Sequence, residues 1–334
     1  MIRVRPVRRA LAAIAVGSVF ALSACGGGGG GGNGGGNGGT GNEPATLTVG
    51  VIPIEDVAPL FVGIKKGFFK DENLTIKTQF AQGGAAIVPS VQSGDFQIGF
   101  SNTVSLLIAS AKGLPVRVIA QGTQAASKKS DAWSHVYVRA DSDIRSPKDL
   151  EGKKIAVNTL QNIGDVTIKA ALEKKGVDVS KLKFVESPFP EMESLLKQKK
   201  VDAIWVVEPF NTVAKKAGAR PISANFFETA PNLTIATYFT TQKYIDQHKS
   251  AVQRFARAMD KSLKYADAHP GAVRKALPTY TKIPKKLVGD VMLENWNPAL
   301  NRASIEKLSR LSKKYGLVEQ EPNLDELIWK GATG

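Results

Sequence analysis

Cysteine and histidine are the scarcest chemistry in this chain: one Cys, at position 25, and three His, at 135, 248 and 269, among 334 residues. A lone thiol excludes a disulfide framework, a thiolate zinc cluster and a C-x-x-C redox pair. The histidines fall into no H-x-x-x-H or H-E-x-x-H spacing, so neither a metal centre nor another cofactor is expected. Serine, histidine and aspartate nowhere form a nucleophile elbow, and no acid/base pair stands out by spacing, which argues against an enzyme. Acidic charge is also in short supply, 30 Asp and Glu against 45 Lys and Arg, for a net charge of +15. The excess is dispersed in pairs such as Lys65-Lys66, Lys128-Lys129, Lys174-Lys175 and Lys199-Lys200. Pairs spread along the chain suit a solvated surface and give no reason to expect nucleic-acid binding.

The first residues read as an address. Arg3, Arg5, Arg8 and Arg9 precede an apolar run of 13 residues, Ala10 to Leu22, which ends in Leu22-Ser23-Ala24-Cys25. That run is too short for a bilayer span and has the order of a signal peptide, here 1–24. The L-S-A-C ending resembles the lipobox of bacterial lipoproteins, which implies lipidation of Cys25 and a membrane anchor on the extracytoplasmic face. Of the 32 glycines, 13 lie between Gly26 and Gly41. Residues 25–44 are therefore expected to be the lipidated cysteine with a flexible tether.

Beyond Pro44, short β-rich runs alternate with helix-spaced apolar stretches. Strands are expected at 46–52, 74–80, 96–100 and 116–120, and helices at 57–69, 84–92 and 104–112. A second pass places strands at 154–157, 182–185 and 201–207, with helices at 163–175 and 192–199. This alternation argues for an α/β fold with helices on both sheet faces. The two passes share features, such as Lys65-Lys66-Gly67 against Lys174-Lys175-Gly176, so two related lobes are expected. Capping alone also explains a glycine after a basic helix end. From 242 onward the pattern turns helical, with segments at 250–269, before Pro278, at 285–295 and at 303–315.

In open α/β sheets, ligands sit beyond the carboxyl ends of the strands. Six loops occupy such places: Pro53–Asp56, Gln82–Ala85, Ser101–Thr103, Asn158–Asp165, Ser187–Pro190 and Glu208–Asn211. Within them, Glu55 and Asp56 supply carboxylates. Gly83 and Gly84 allow close backbone approach or simply make a tight turn. Ser101, Asn102 and Thr103 offer hydroxyl and amide groups or cap the next helix. Asn158, Asn162, Gly164 and Asp165 form an amide-rich loop that can bind an uncharged polar group or start a helix. Trp205 is either core or a stacking surface, and Glu208 ends an apolar strand where a carboxylate needs water or a partner.

Taken together, Gly67-Phe68-Phe69, Gly83-Gly84, S-G-D-F-Q-I-G-F at 93–100, K-G-L-P at 112–115 and S-P-K-D-L-E-G-K-K-I-A-V at 146–157 resemble ABC-transporter substrate-binding proteins. The similarity is greatest to the group that binds nitrate, taurine, aliphatic sulfonates or thiamine-pyrimidine precursors. It implies a two-lobed periplasmic-binding-protein fold of type II, with two crossings between lobes near 122–134 and 234–241 and with helices at the C-terminus. Lobe one would comprise 45–122 and 238–334, and lobe two 123–237. It also implies a small-molecule ligand in the cleft and, as partners, a membrane permease with its ATPase, the binding protein acting as a monomer. The loops carry acids and no evident arginine, which shifts the expected ligand from an anion toward a neutral or cationic nitrogenous compound, with Trp205 or Tyr238 stacking on it and Glu208 accepting from its amine.

Overall fold

Residues 42–333 are described by the computed structural model; the signal segment, Cys25 and most of the glycine tether lie outside them. The first β-rich run becomes β1 (Ala45–Val51), whose Leu47, Val49 and Val51 are fully buried. Burying each such side chain contributes about 1.5–3 kcal/mol. β2 (Leu74–Phe80) and β3 (Ile98–Asn102) flank β1, both parallel to it. β4 (Val116–Gln124) completes the first half of the chain's contribution to this sheet.

The chain then builds a second sheet from β5 (Ser134–Val138), β6 (Lys154–Val157), β7 (Lys183–Glu186), β8 (Ala203–Val207) and β9 (Arg220–Ser223). It returns to the first sheet through β10 (Thr234–Thr241) and ends on β11 (Ile328–Thr333). The orders are β11-β4-β10-β3-β1-β2 and β7-β6-β8-β5-β9. In both, a central strand, β1 or β6, pairs in parallel with the next two strands of its βαβ unit. An antiparallel strand then follows on the same side, β10 beside β3 and β5 beside β8. The two lobes therefore share one plan.

Two expectations in the C-terminal part require correction. Residues 234–241, expected as a crossing, form a wholly buried strand between β3 and β4. Residues 285–295, expected as a helix, give one 3-10 segment, Lys285–Asp290, and then irregular chain to residue 301. The reason lies in the backbone donors. The N–H groups of Met292 and Glu294 bond the carboxylates of Glu208 and Glu55, at 3.3 and 3.2 Å, instead of carbonyls one turn back. Among the described residues, no helix is long and apolar enough to cross a membrane.

Candidate functional site

Four carboxylates converge where the lobes meet. Glu55 and Asp56 lie in the short 3-10 turn after β1, Glu208 follows β8, and Glu294 comes from the irregular C-terminal segment. All four are buried. The backbone N–H of Glu55 donates to the Glu208 carbonyl at 3.1 Å, which ties the two strand mouths together. Asp56 and Glu294 share a side-chain hydrogen bond, a contact between carboxyl groups that requires one proton. Thr123 donates its hydroxyl to Glu294 as well. Oε2 of Glu55, Oδ1 of Asp56, Oε1 of Glu294 and the hydroxyls of Tyr238 and Tyr280 have no hydrogen-bond partner among the described residues.

Crowding acids out of water makes their charged forms costly. Burial first, then the charges of Glu208 and Asp56, holds the Glu55 carboxyl well above the usual range, against the opposing pull of the Glu294 N–H and Arg274. Burial pushes Asp56 up to about 7. Glu294 is raised well above normal by burial and by the charges of Asp56 and Glu55. Tyr280 is likewise raised, by burial and then by Glu55, Glu294 and Asp56. The cluster is short of hydrogen-bond donors. Among the described residues, no group of His, Cys, Asp and Glu is arranged to hold a metal ion.

An apolar hollow of about 280 Å³ is lined from one lobe by Ile54, Phe80 and Gln82 and from the other by Phe189, Pro190 and Phe210. None of the four acids lines it, although Ile54 precedes Glu55 and Phe210 lies two positions past Glu208. A run of rings links the two places. Phe61 stacks on Tyr280 at 4.0 Å and on Phe80 at 6.3 Å. A larger hollow of about 450 Å³ around Lys65, Lys66, Tyr265 and His269 is lined by the six-stranded lobe alone and gathers no carboxylate.

The remaining loops that the sequence singles out zip the lobes to each other. Gln82 donates to the Asn158 carbonyl at 3.4 Å, and Asn158 to that of Gln82 at 3.5 Å. A Cβ on Gly83 would stand 2.7 Å from Thr159 Oγ1, so glycine there permits the lobes to touch. Gly84 meets Ser101 and serves helix-to-strand packing. Asn102 caps the helix Thr103–Ala111 by accepting from Ser105 N at 2.9 Å, and Thr103 donates to the Thr234 carbonyl at 2.7 Å. Asn162 caps the helix Ile163–Glu173 and donates to Ser105 Oγ across the lobes at 2.9 Å. Asp165 accepts from Gln161 N at 2.8 Å, and burial raises it to about 6.

Gly164, expected at the cleft, packs in the core, and of the two places open to Trp205 it is the core that holds the ring. Trp205 is 2% exposed and gives its indole N–H to Ser134 Oγ at 2.8 Å, while a Cβ on Gly164 would meet its ring at 2.7 Å. Its edge-on contact with Phe189, at 5.6 Å, supports the hollow from behind. Tyr238, expected to stack on a ligand, has its ring packed by Phe100 and Phe255, so only its hydroxyl approaches Asp56. Glu208 accepts from Asn211 Nδ2 at 3.0 Å and Thr212 Oγ1 at 2.9 Å, which makes it a pin for the next helix as well as a source of charge. Glu294, Tyr280 and Phe80 lie outside the loops expected at the cleft, whereas Phe189 and Phe210 lie within two of them without having been singled out. Glu294 gave no signal, because its segment looked helical.

Comparison with known proteins agrees with this architecture. The NMT1/THI5-like family model matches residues 54–273. YtlA of Bacillus subtilis, named as a binding protein, is 23% identical over 82% of this chain and 77% of its own. The taurine-binding periplasmic protein of Escherichia coli is 24% identical over 57% of each chain. The alkanesulfonate-binding protein SsuA of Xanthomonas axonopodis pv. citri superposes with a TM-score of 0.71 at 15% identity, covering 86% of this chain and 99% of that one. The fold is thus the two-lobed type II periplasmic-binding-protein fold. With its model matched over well more than half of the sequence, this chain belongs to the NMT1/THI5-like family.

Proposed function

We propose that this protein is the extracytoplasmic substrate-binding component of an ABC importer, anchored by lipid on Cys25, and that its ligand is a small nitrogenous compound of the aminopyrimidine or amine kind. The observation that carries the ligand class is the meeting of Glu55, Asp56, Glu208 and Glu294 between the lobes, with unpartnered oxygens on three of them. An amine or amidine supplies the donors and the positive charge that such oxygens lack. In this reading the ligand is met by Glu55, Asp56, Glu208 and the hydroxyl of Tyr238. Lobe closure presents the loaded monomer to a permease driven by its ATPase. The expected lobe limits, 45–122 with 238–334 and 123–237, shift by a few residues in this reading, because β4 runs to Gln124 and β10 starts at Thr234, both in the first sheet.

A sulfonate ligand is the second reading, favoured by the names of the taurine- and alkanesulfonate-binding relatives. A thermal-shift panel of aminopyrimidines, polar amines, methanesulfonate and nitrate separates the two. At a hundred times its dissociation constant a true ligand stabilises the fold by about 2.7 kcal/mol. Stabilisation by amines or aminopyrimidines is the expected result, and stabilisation by methanesulfonate or nitrate alone would overturn the nitrogenous reading.

A further inference from the structure

Three of the four acids hold oxygens that are buried with no partner among the described residues: Oε2 of Glu55, Oδ1 of Asp56 and Oε1 of Glu294. None of the three residues lines either hollow described above. A carboxylate in such a place carries a charge that nothing answers, whereas the neutral acid is far cheaper to bury. The donors at hand are the Glu294 N–H on Glu55 and the Thr123 hydroxyl on Glu294, and the one cation acting on Glu55 is Arg274. Protons are the remaining means of holding these acids together.

Glu208 is the member from the other lobe, and it sits on the seam. Its carbonyl accepts from Glu55 N, its Oε1 accepts from Met292 N at 3.3 Å, and Thr212 beside it donates to the Asp290 carbonyl at 3.4 Å. Its charge acts on both Glu55 and Glu294. Behind it, Asn211 Oδ1 lies 2.9 Å from Nδ1 of His135, and Tyr137 feels its charge. Burial lowers His135 and raises Tyr137, Tyr238 and Tyr280, so the carboxyls are the groups that change charge near neutrality.

We propose that the seam is a proton latch: protons held among Glu55, Asp56 and Glu294 keep the unliganded lobes closed against Glu208, and loss of those protons opens the cleft. Opening takes Glu208 away from the other acids and lets water reach the carboxylates. The closed form binds the extra protons, so acid favours it, and a rise in pH through about 7, the raised value of Asp56, favours the open form. Each pH unit in that window multiplies the open-to-closed ratio by up to about tenfold for every proton released. The latch rests on the import reading above only in taking this seam as the entry for solute, and it is independent of which solute enters.

Dipolar electron paramagnetic resonance on the detergent-solubilised full chain tests the latch with no ligand added. Cys25→Ser removes the one native thiol, and Phe80→Cys with Leu160→Cys places a label at an exposed position on each lobe. The distance between labels is expected to be longer at pH 8 than at pH 5 and to shorten again on return to pH 5, which separates opening from unfolding. Glu294→Gln removes one of the crowded acids and is expected to keep the short distance at pH 8; Asp56→Asn makes the same test from the other carboxyl. An unchanged distance between pH 5 and pH 8, or opening of both amide variants as wide as the parent, would overturn the latch and leave the ligand reading to the thermal-shift panel. Stabilisation by methanesulfonate alone in that panel would overturn the ligand reading and leave the latch standing.

Discussion

The backbone N–H of Glu294 donates to Oε1 of Glu55 at 3.2 Å, a contact made across 239 positions of sequence. It places the Glu294 carboxyl against Asp56, where the two share a hydrogen bond. Glu294→Gln keeps a donor at that point and removes an acid. At pH 8 the unliganded variant is expected to be more stable than the parent by about 1–3 kcal/mol, since one charge fewer is forced into burial. An amine ligand is expected to lose at least tenfold in affinity. Paired thermal unfolding and calorimetry check both, and a variant less stable than the parent at pH 8 would contradict the picture of crowded acids.

Stability and ligand affinity should respond to pH with opposite signs. Asp56, Glu55 and Glu294 all have carboxyls raised by folding, Asp56 from 3.8 to about 7. The folded state therefore binds more protons than the unfolded one between those values, so stability is fully present below about pH 4 and drains away as pH rises through about 7. The groups acting on or feeling Asp56 are Glu55, Glu294, Tyr238 and Tyr280, while Glu208 acts on Glu55 and Glu294 and the cation Arg274 opposes it at Glu55. Unliganded melting temperature should fall from pH 5 to pH 8, as each pH unit in the window removes up to about 1.4 kcal/mol per group. Affinity for a fixed cation should climb over the same range. A flat melting profile would remove the shared proton.

Trp205 supports the site from beneath. Trp205→Ala is expected to destabilise the protein by about 3–5 kcal/mol through cavity formation. Gly164→Ala drives a methyl to 2.7 Å of the same ring and should destabilise by about 1–3 kcal/mol through overpacking. Chemical denaturation measures both, and loss of affinity without loss of stability would return Trp205 to the cleft.

Asn162 joins the lobes through Ser105 while capping its own helix. Asn162→Ala removes the cap, at about 1 kcal/mol, together with one bond across the cleft. The unliganded variant should adopt a larger radius of gyration by small-angle X-ray scattering, and an unchanged radius would show that the zipped loops do not set the lobe angle.

The fold was legible because the βαβ units carry their own punctuation. Leu74–Phe80 and Lys154–Val157 match the expected strands residue for residue, being short alternating or continuous apolar runs between turns. Glu55, Asp56 and Glu208 were legible as acids at strand mouths. Glu294 was not, because what draws its segment into the cleft is a set of bonds from distant carboxylates to its backbone, and no local periodicity records those. Trp205 was ambiguous for the same reason: its partner Ser134 sits 71 positions away, in the strand beside it.

The position of Glu294, 86 residues after Glu208 in the chain, also sets an order in time. Domains form as the chain emerges from its N-terminus, and Glu55, Asp56 and Glu208 are all made long before their fourth acid. A chain interrupted before residue 294 can assemble both central sheets' βαβ units yet has no completed charge trap. In the proposed site, the four acids therefore come together only after the chain beyond β9 has been made and folded back onto them.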